Sequence, residues 1–243
     1  MKGTASPQTE ALHCYAACRP DITLPEGPGV AGASVSLLAD GPVAILVSPL
    51  PAEGEPGDPE SLAAHARVVQ QAFEAGVVAP FRFPTIVASD DETVHELVRP
   101  HRDWLLETLD RLEGLEELRL RVRYDEDAAV AEVLAANPRL AKLRGRTDTA
   151  LRLGEAIVAE LRHQAVQDSQ AILAAVRPLI EDAMVDAVGG ERDVLTASLL
   201  IHRGRAQEVD DAAERWAAER PPVQIQLLGP LPPYSFADME KDS

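Results

Sequence analysis

Apolar and polar positions follow two rhythms along this chain, one of period two and one of period three to four. Leu12 to Cys18 is an almost unbroken apolar run closed by Arg19-Pro20, which predicts a buried strand, and a Gly/Pro-rich loop follows through Gly32. Val35 to Ala39 and Val43 to Val47 flank Asp40-Gly41, a dipeptide that tolerates positive φ, and this spacing predicts a β-hairpin. Residues 49–57 hold too much Pro and Gly for regular structure and are expected to loop. Asp58-Pro59 then supplies an N-cap and a first-turn proline; Leu62, Ala66, Val69 and Phe73 give the helix an apolar stripe, and Gly76 ends it. A strand is expected over Phe81 to Val87.

Ser89-Asp90-Asp91-Glu92 has the spacing of a capping box and opens a helical stretch carrying Val94, Leu97, Val98, Leu105, Leu109 and Leu112. Pro100 predicts a kink or a fresh helix start within it, and Gly114 its end. Leu118 to Tyr124 alternates strictly, the pattern of a strand buried on one face. Asp125 caps a helix reaching Ala136, which Asn137-Pro138 stops. Thr147 to Val188 carries a helical stripe with a break at Pro178, and Gly189-Gly190 closes it. Val194 to His202 reads as strand, Ala206 to Trp216 as helix and Val223 to Leu228 as the last strand, with Pro221-Pro222 between the final two. Strands and helices interleave on both sides of Gly114, so the expected fold class is α+β in two domains, 1–113 and 114–243. The second half, as strand, helices, strand, helix and strand, suits a modified ferredoxin-like arrangement.

Charge narrows the function classes. There are 23 Lys and Arg against 40 Asp and Glu in 243 residues, a formal charge of −17, which repels a polyanion and argues against nucleic acid as a partner. Hydrophobic residues reach 46%, enough for a core, but two Trp, three Tyr and four Phe leave that core to Ala, Val, Leu and Ile. The longest apolar runs, Ala44 to Val47 and Leu199 to Ile201, fall short of the roughly 18–20 residues of a membrane span. No membrane insertion is expected, and Met1 to Pro7 lacks the apolar core of a secretory signal. Cys14 and Cys18, four strand residues apart, lie about 13 Å from each other, beyond the roughly 4.4–6.8 Å that a disulfide spans. Free thiols suit a reducing cytoplasm.

Motif-level chemistry is sparse. Gly27-Pro28-Gly29-Val30-Ala31-Gly32 spells G-x-G-x-x-G, but Leu24-Pro25 precedes it and a strand follows, so it lacks the strand and helix that a dinucleotide site requires. His13, His65, His95, His101, His163 and His202 show no metal-ligand spacing and are expected at surface or boundary positions. Ser34 misses the closing Gly of a nucleophile elbow. Arg119, Arg121 and Arg123 form a cationic stripe on one strand face, either a contact for an acidic partner or a set neutralised by carboxylates within the fold; cross-strand pairing favours the second. Gly229 to Phe236 is a proline-stiffened end carrying Tyr234 and Phe236. It suits a strap packed on the core, or a recruitment segment.

Several of these segments together resemble the gas vesicle protein F/L family. They are Tyr15-Ala16, His65-Ala66-Arg67-Val68-Val69 followed by Phe81-Arg82-Phe83-Pro84-Thr85, Val122-Arg123-Tyr124-Asp125-Glu126, Leu153-Gly154-Glu155 and the closing Gly229 to Phe236. The resemblance spans nearly the whole chain, with Arg82, Phe83 and Thr85 and the closing segment its most specific parts. Pro84 and Leu231 depart from the Gly and Trp often found there. The resemblance implies a non-catalytic cytoplasmic protein without cofactors, built of two α+β domains, the second ferredoxin-like. It would contact the small, very apolar, GvpA-like major shell protein of the gas vesicle, and other gas vesicle accessory proteins, and help the shell protein assemble rather than aggregate. Contact is expected at a sheet edge or an apolar groove flanked by the loop from Pro49 to Gly57 and the Pro-rich terminus. The competing readings are a small metabolic enzyme on an α+β scaffold, which metal analysis and ligand-induced thermal shifts would test, and a small-molecule-sensing module, which predicts a specific small-molecule pocket.

Overall fold

In the computed structural model, residues 11–50, 57–88, 90–143, 150–187, 190, 192–220 and 222–238 are described. Ser89 of the expected capping box, Thr147, Gly189, Pro221 and most of the expected loop over 49–57 lie outside them. The chain separates into two compact units, residues 1–116 with 231–243, and residues 117–230. A linear division at Gly114 would place the terminal segment with the second half. It groups with the first because Tyr234 packs against that unit's core.

In the first unit, β1 (Ala11–Cys18), β2 (Ser36–Asp40), β3 (Val43–Leu50) and β4 (Val78–Val87) form an antiparallel sheet in the order β2-β3-β1-β4. The β2-β3 hairpin turns where expected, with Gly41 at φ 68°. Pro49 and Leu50 continue β3 rather than opening the loop, and β4 begins at Val78, three residues before Phe81. Helix α1 (Pro59–Ala75) starts on the Asp58 carboxylate, which accepts from the Ser61 N–H at 2.8 Å, and ends at Gly76. Its apolar face differs from the expected stripe. Leu62 is 50% exposed and Ala66 is also exposed, whereas Ser61, His65, Val68, Val69, Ala72 and Phe73 are buried. The inward face is turned towards His65 because that ring has a partner in the core.

The next stretch is broken, as Pro100 suggested, into a short turn α2 (Asp90–Glu92), a π-helical turn over Thr93–Val98 and helix α3 (Arg102–Leu112). The Glu92 carboxylate accepts from the Ala88 N–H at 3.0 Å. Strand alternation places Ala44 and Leu46 in the cluster with α1 and sends Ile45 and Val47 to the opposite face. Those two are also buried, and α3 packs against β3 and β4.

The second unit contains β5 (Leu115–Tyr124), α4 (Glu126–Ala136), α5 (Pro138–Ala141), α6 (Ala150–Val176), β6 (Asp182–Val185), β7 (Asp193–His202), α7 (Ala206–Ala218) and β8 (Val223–Leu231). Its strand order is β6-β7-β5-β8. The helix expected to reach Val188 ends instead at Val176; a short 3-10 turn follows, and Asp182–Val185 is a strand. Asp-Ala-Met-Val is too short for periodicity to tell helix from strand, and antiparallel pairing of Asp182 to Leu200 and Val185 to Ala197 decides it. Strand β5 starts three residues before Leu118. Leu118, Leu120, Val122 and Tyr124 from β5 join Val133 of α4, Ile172 and Val176 of α6 and Val209 of α7 in one core. All the long helices of this unit thus contribute to one face of its sheet. Among the described residues no helix is long and apolar enough to cross a membrane.

Two glycines are required by close approach. Strand β8 runs through Gly229-Pro230, so these residues are sheet and not strap; Gly229 sits at φ 146°, and a Cβ there would come within 2.6 Å of Leu118 Cδ2 and 2.9 Å of the Glu117 carbonyl. At Gly29 a Cβ would overlap the Tyr15 hydroxyl and lie 3.2 Å from Ser48 Oγ. Gly29→Ala is therefore expected to lower the urea unfolding free energy by about 1–3 kcal/mol through overpacking. Gly57→Ala, which meets nothing within 4 Å, should stay within about 0.5 kcal/mol of the parent.

Candidate functional site

Strand β1 carries two polar rings into the apolar interior of the first unit. His13 and Tyr15 are fully buried, and His65 of α1 is 1% exposed, so these two histidines are not the surface or boundary groups the sequence suggested. Their nitrogens meet, His13 Nε2 to His65 Nδ1 at 2.9 Å. Either ring can donate in this bond, according to its tautomer. The outer nitrogens, His13 Nδ1 and His65 Nε2, are both left without a partner. Burial, reinforced at His13 by the neighbouring imidazole, lowers both from 6.5 to about 4. Both rings are neutral near neutrality.

Tyr15 completes this polar knot. Its hydroxyl lies 2.8 Å from Ser48 Oγ on β3 and accepts from the Val30 N–H at 2.7 Å, which anchors the 3-10 turn Val30–Gly32 of the glycine-rich loop. That loop leads into β2 and not into a helix. The rings of Phe83 and Tyr234 close the cluster, with centroids 5.6 Å from His13 to Phe83, 5.4 Å from His65 to Phe83 and 6.4 Å from His65 to Tyr234.

The segment that carries Phe83 is an excursion from the sheet. Cys14 pairs with Thr85 while Ala16 pairs with Pro80, so Tyr15 alone stands opposite residues 81–84 of β4. Thr85 Oγ1 donates to the Arg82 carbonyl at 2.7 Å across the excursion. Outside it, Arg82 is ion-paired with Asp238, and Arg111 donates to the Phe236 carbonyl at 2.7 Å. Phe236 itself is 5% exposed. Five candidates widely spaced in sequence, Arg82, Phe83, Thr85, Tyr234 and Phe236, thus belong to one anchorage that holds residues 232–238 on the first unit.

The arginine stripe lies elsewhere, on the face of the second sheet opposite its core. Arg119 pairs with Asp186 and donates to Ser198 Oγ at 3.0 Å. Asp193 serves both Arg123, at 2.7 Å, and Arg121, at 3.9 Å. Two carboxylates of the same unit, Asp186 and Asp193, therefore serve all three arginines.

An open groove of about 600 Å³ indents the first unit between the loop Pro28–Gly32, Leu50 and helix α1, where Ala63, Ala64 and Arg67 line it. Arg67 donates to the carbonyls of Glu26 and Pro28 and so holds one wall. Leu50 and Asp58 also line the groove. Burial pushes the Cys14 and Cys18 thiols up to about 12, the histidine pair is enclosed, and no three or more His, Cys, Asp and Glu among the described residues converge on a point suited to a metal.

The chain matches the sequence profile of the family described as gas vesicle synthesis protein GvpL/GvpF over residues 11–238. It is similar to gas vesicle protein F of Streptomyces sp. (strain CB03234), 30% identical over 227 residues, covering 89% of this chain and 94% of that one. Gas vesicle protein L of the same strain is 28% identical over 256 residues, covering 95% and 94%. Among solved structures, the fold is similar to GvpF from Anabaena sp. PCC7120, with a TM-score of 0.79, 19% identity and 95% and 97% of the two chains covered. GvpF from Microcystis aeruginosa gives a TM-score of 0.76 at 19% identity, covering 95% and 100%.

The buried imidazoles set a pH dependence of known sign. Their folded pKa values of about 4 lie below 6.5, so the unfolded chain binds the extra protons. Their contribution is complete above about 6.5 and falls between there and about 4, by up to about 1.4 kcal/mol per pH unit for each ring. Urea unfolding across that range, compared between the parent and His13→Gln/His65→Gln, should show a shallower slope in the variant. Equal slopes would mean that the pair is not held neutral.

Proposed function

The chain belongs to the gas vesicle synthesis protein GvpL/GvpF family, and from that premise we propose that it is a non-catalytic accessory protein of gas vesicles. It works in the cytoplasm, binds the small, very apolar, GvpA-like shell protein, and keeps that protein from aggregating while the vesicle is assembled. Other gas vesicle accessory proteins are its further partners. The observation that carries this reading is the open groove beside α1. Its walls are largely aliphatic, from Val30, Leu50, Ala63 and Ala64, and Leu62 stands 50% exposed on the same helix. An apolar surface of this kind on a chain of charge −17 accepts an apolar segment while the like charge of loaded particles opposes their coalescence.

The anchorage of Arg82, Phe83, Thr85, Tyr234 and Phe236 has a supporting role in this reading. It fixes the terminal segment on the unit that bears the groove, and the paired Arg119, Arg121 and Arg123 stripe serves its own sheet. We read the two units as two domains. The order β6-β7-β5-β8, with helices after β5 and after β7, supports a modified ferredoxin-like arrangement for the second, and β6 supplies the strand that the sequence pattern lacked.

Ala63 lies exposed in the groove, so a long cation there obstructs it without disturbing the core. Coexpression with the shell protein, followed by pull-down and measurement of soluble shell protein, is expected to show association and increased solubility for the parent and a several-fold loss of both for Ala63→Arg, with an unchanged unfolding midpoint. Absence of shell protein from the parent's pull-down, with no change in its solubility, would refute the proposed function. Undiminished binding by Ala63→Arg would refute the groove as its seat.

A further inference from the structure

Helix α6 is packed along its C-terminal half and largely open along its N-terminal half. Leu161, Asp168, Ile172 and Val176 are its buried positions. Between residues 150 and 166 the helix stands between two open grooves, of about 530 Å³ on the side of Gly154, Ile157 and Val158 and about 670 Å³ on the side of Ala156 and Ala159. The ridge between the grooves carries two large exposed aliphatic side chains of the second unit, Leu151 at 77% and Val166 at 57% exposure. Leu151, Glu155, Ala159, Arg162 and Val166 recur at spacings of three and four residues, so they lie on one stripe of the helix. Glu155 and Arg162 are exposed, and neither makes an ion pair among the described residues.

This stripe is its own complement when reversed. About a two-fold axis between Val158 and Ala159, an antiparallel second α6 sets Leu151 against Val166 of the other copy and Glu155 against Arg162 of the other copy, each pairing occurring twice. The small side chain of Ala159 permits close approach at the centre, and the flanking grooves receive side chains from the facing ridge. We infer that the N-terminal half of α6 is a self-association surface, through which two copies of this chain pair antiparallel about that axis. The occupant is specified by charge: a second copy presents an acid where this one presents a base, and the reverse, as an isologous contact requires. Leu151 to Val166 spans only about 22 Å of helix, so the contact is small and the dimer dissociates on dilution.

Sedimentation equilibrium of the purified full chain tests this. The parent is expected to shift from the monomer mass towards twice that value as concentration rises, at an ionic strength that screens the repulsion between two chains of charge −17. Glu155→Arg alone and Arg162→Glu alone each set like charges opposite one another and should weaken association at least tenfold. Mixing these two variants restores both attractive pairings, so the mixture should dimerise about as well as the parent. That recovery also shows that both variants are folded. A parent that stays monomeric at every concentration overturns the inference, as do single variants that dimerise like the parent or a mixture that remains monomeric.

Discussion

His13, Tyr15 and His65 are buried in an interior built mainly of small aliphatic side chains, where a polar atom gains by finding a partner because water is excluded. An unpaired buried polar group costs on the order of 1–3 kcal/mol. The need for partners ties together segments that are distant in sequence. Ser48 on β3 answers the Tyr15 hydroxyl, the glycine-rich loop turns inward so that the Val30 N–H reaches it, and α1 rotates to present His65 to His13. Gly29 has no side chain because that space is filled by the same hydroxyl. The excursion of β4 over residues 81–84 exists opposite Tyr15 and brings Phe83 over the histidines. The groove beside α1 takes its walls from the loop and the helix that this knot positions.

The second unit meets the same constraint differently. Its long helices serve one sheet face, so polar residues gather on the other, and Arg119, Arg121 and Arg123 are matched there by Asp186 and Asp193 at partly exposed positions. Such pairs contribute little individually, typically below about 1 kcal/mol. The interior polar contact is Asp168 of α6, which accepts from the Tyr124 hydroxyl at 2.7 Å and lies 3.4 Å from Arg220. The carboxylate's presence raises the Tyr124 pKa, adding to burial as the main cause. This contact pins the middle of α6 to β5, and the N-terminal turns beyond it project where the two grooves leave a ridge uncovered.

Net charge and local chemistry act on different scales here. The acidic average of −17 governs how whole particles repel one another, whereas binding faces depend on where that average is locally cancelled or absent. The groove on the first unit is mostly aliphatic with Arg67 committed to backbone carbonyls. The α6 ridge alternates Leu, Glu, Arg and Val. Neither surface reflects the composition of the chain as a whole.

Much of the architecture was legible from local patterns, because turn chemistry and side-chain periodicity act within a few residues. Asp40-Gly41, Asp58-Pro59, Pro100 and Gly114 punctuate the chain where expected, and the alternation from Leu118 to Tyr124 specified both the core face and the arginine face of β5. Short or ambiguous segments were not legible: Asp182–Val185 is a strand only because β7 offers it hydrogen-bonding partners. For the site, the segments containing His65, Phe83 and Tyr234 stood out in the sequence, but their convergence did not. His13 could have been suspected from its place inside an apolar strand, yet its partner lies 52 residues away. By itself the sequence determined most of the elements, the overall charge and the family resemblance. Only the tertiary structure decided which helix face turns inward and which polar groups meet, because burial and partnership depend on segments brought together by folding.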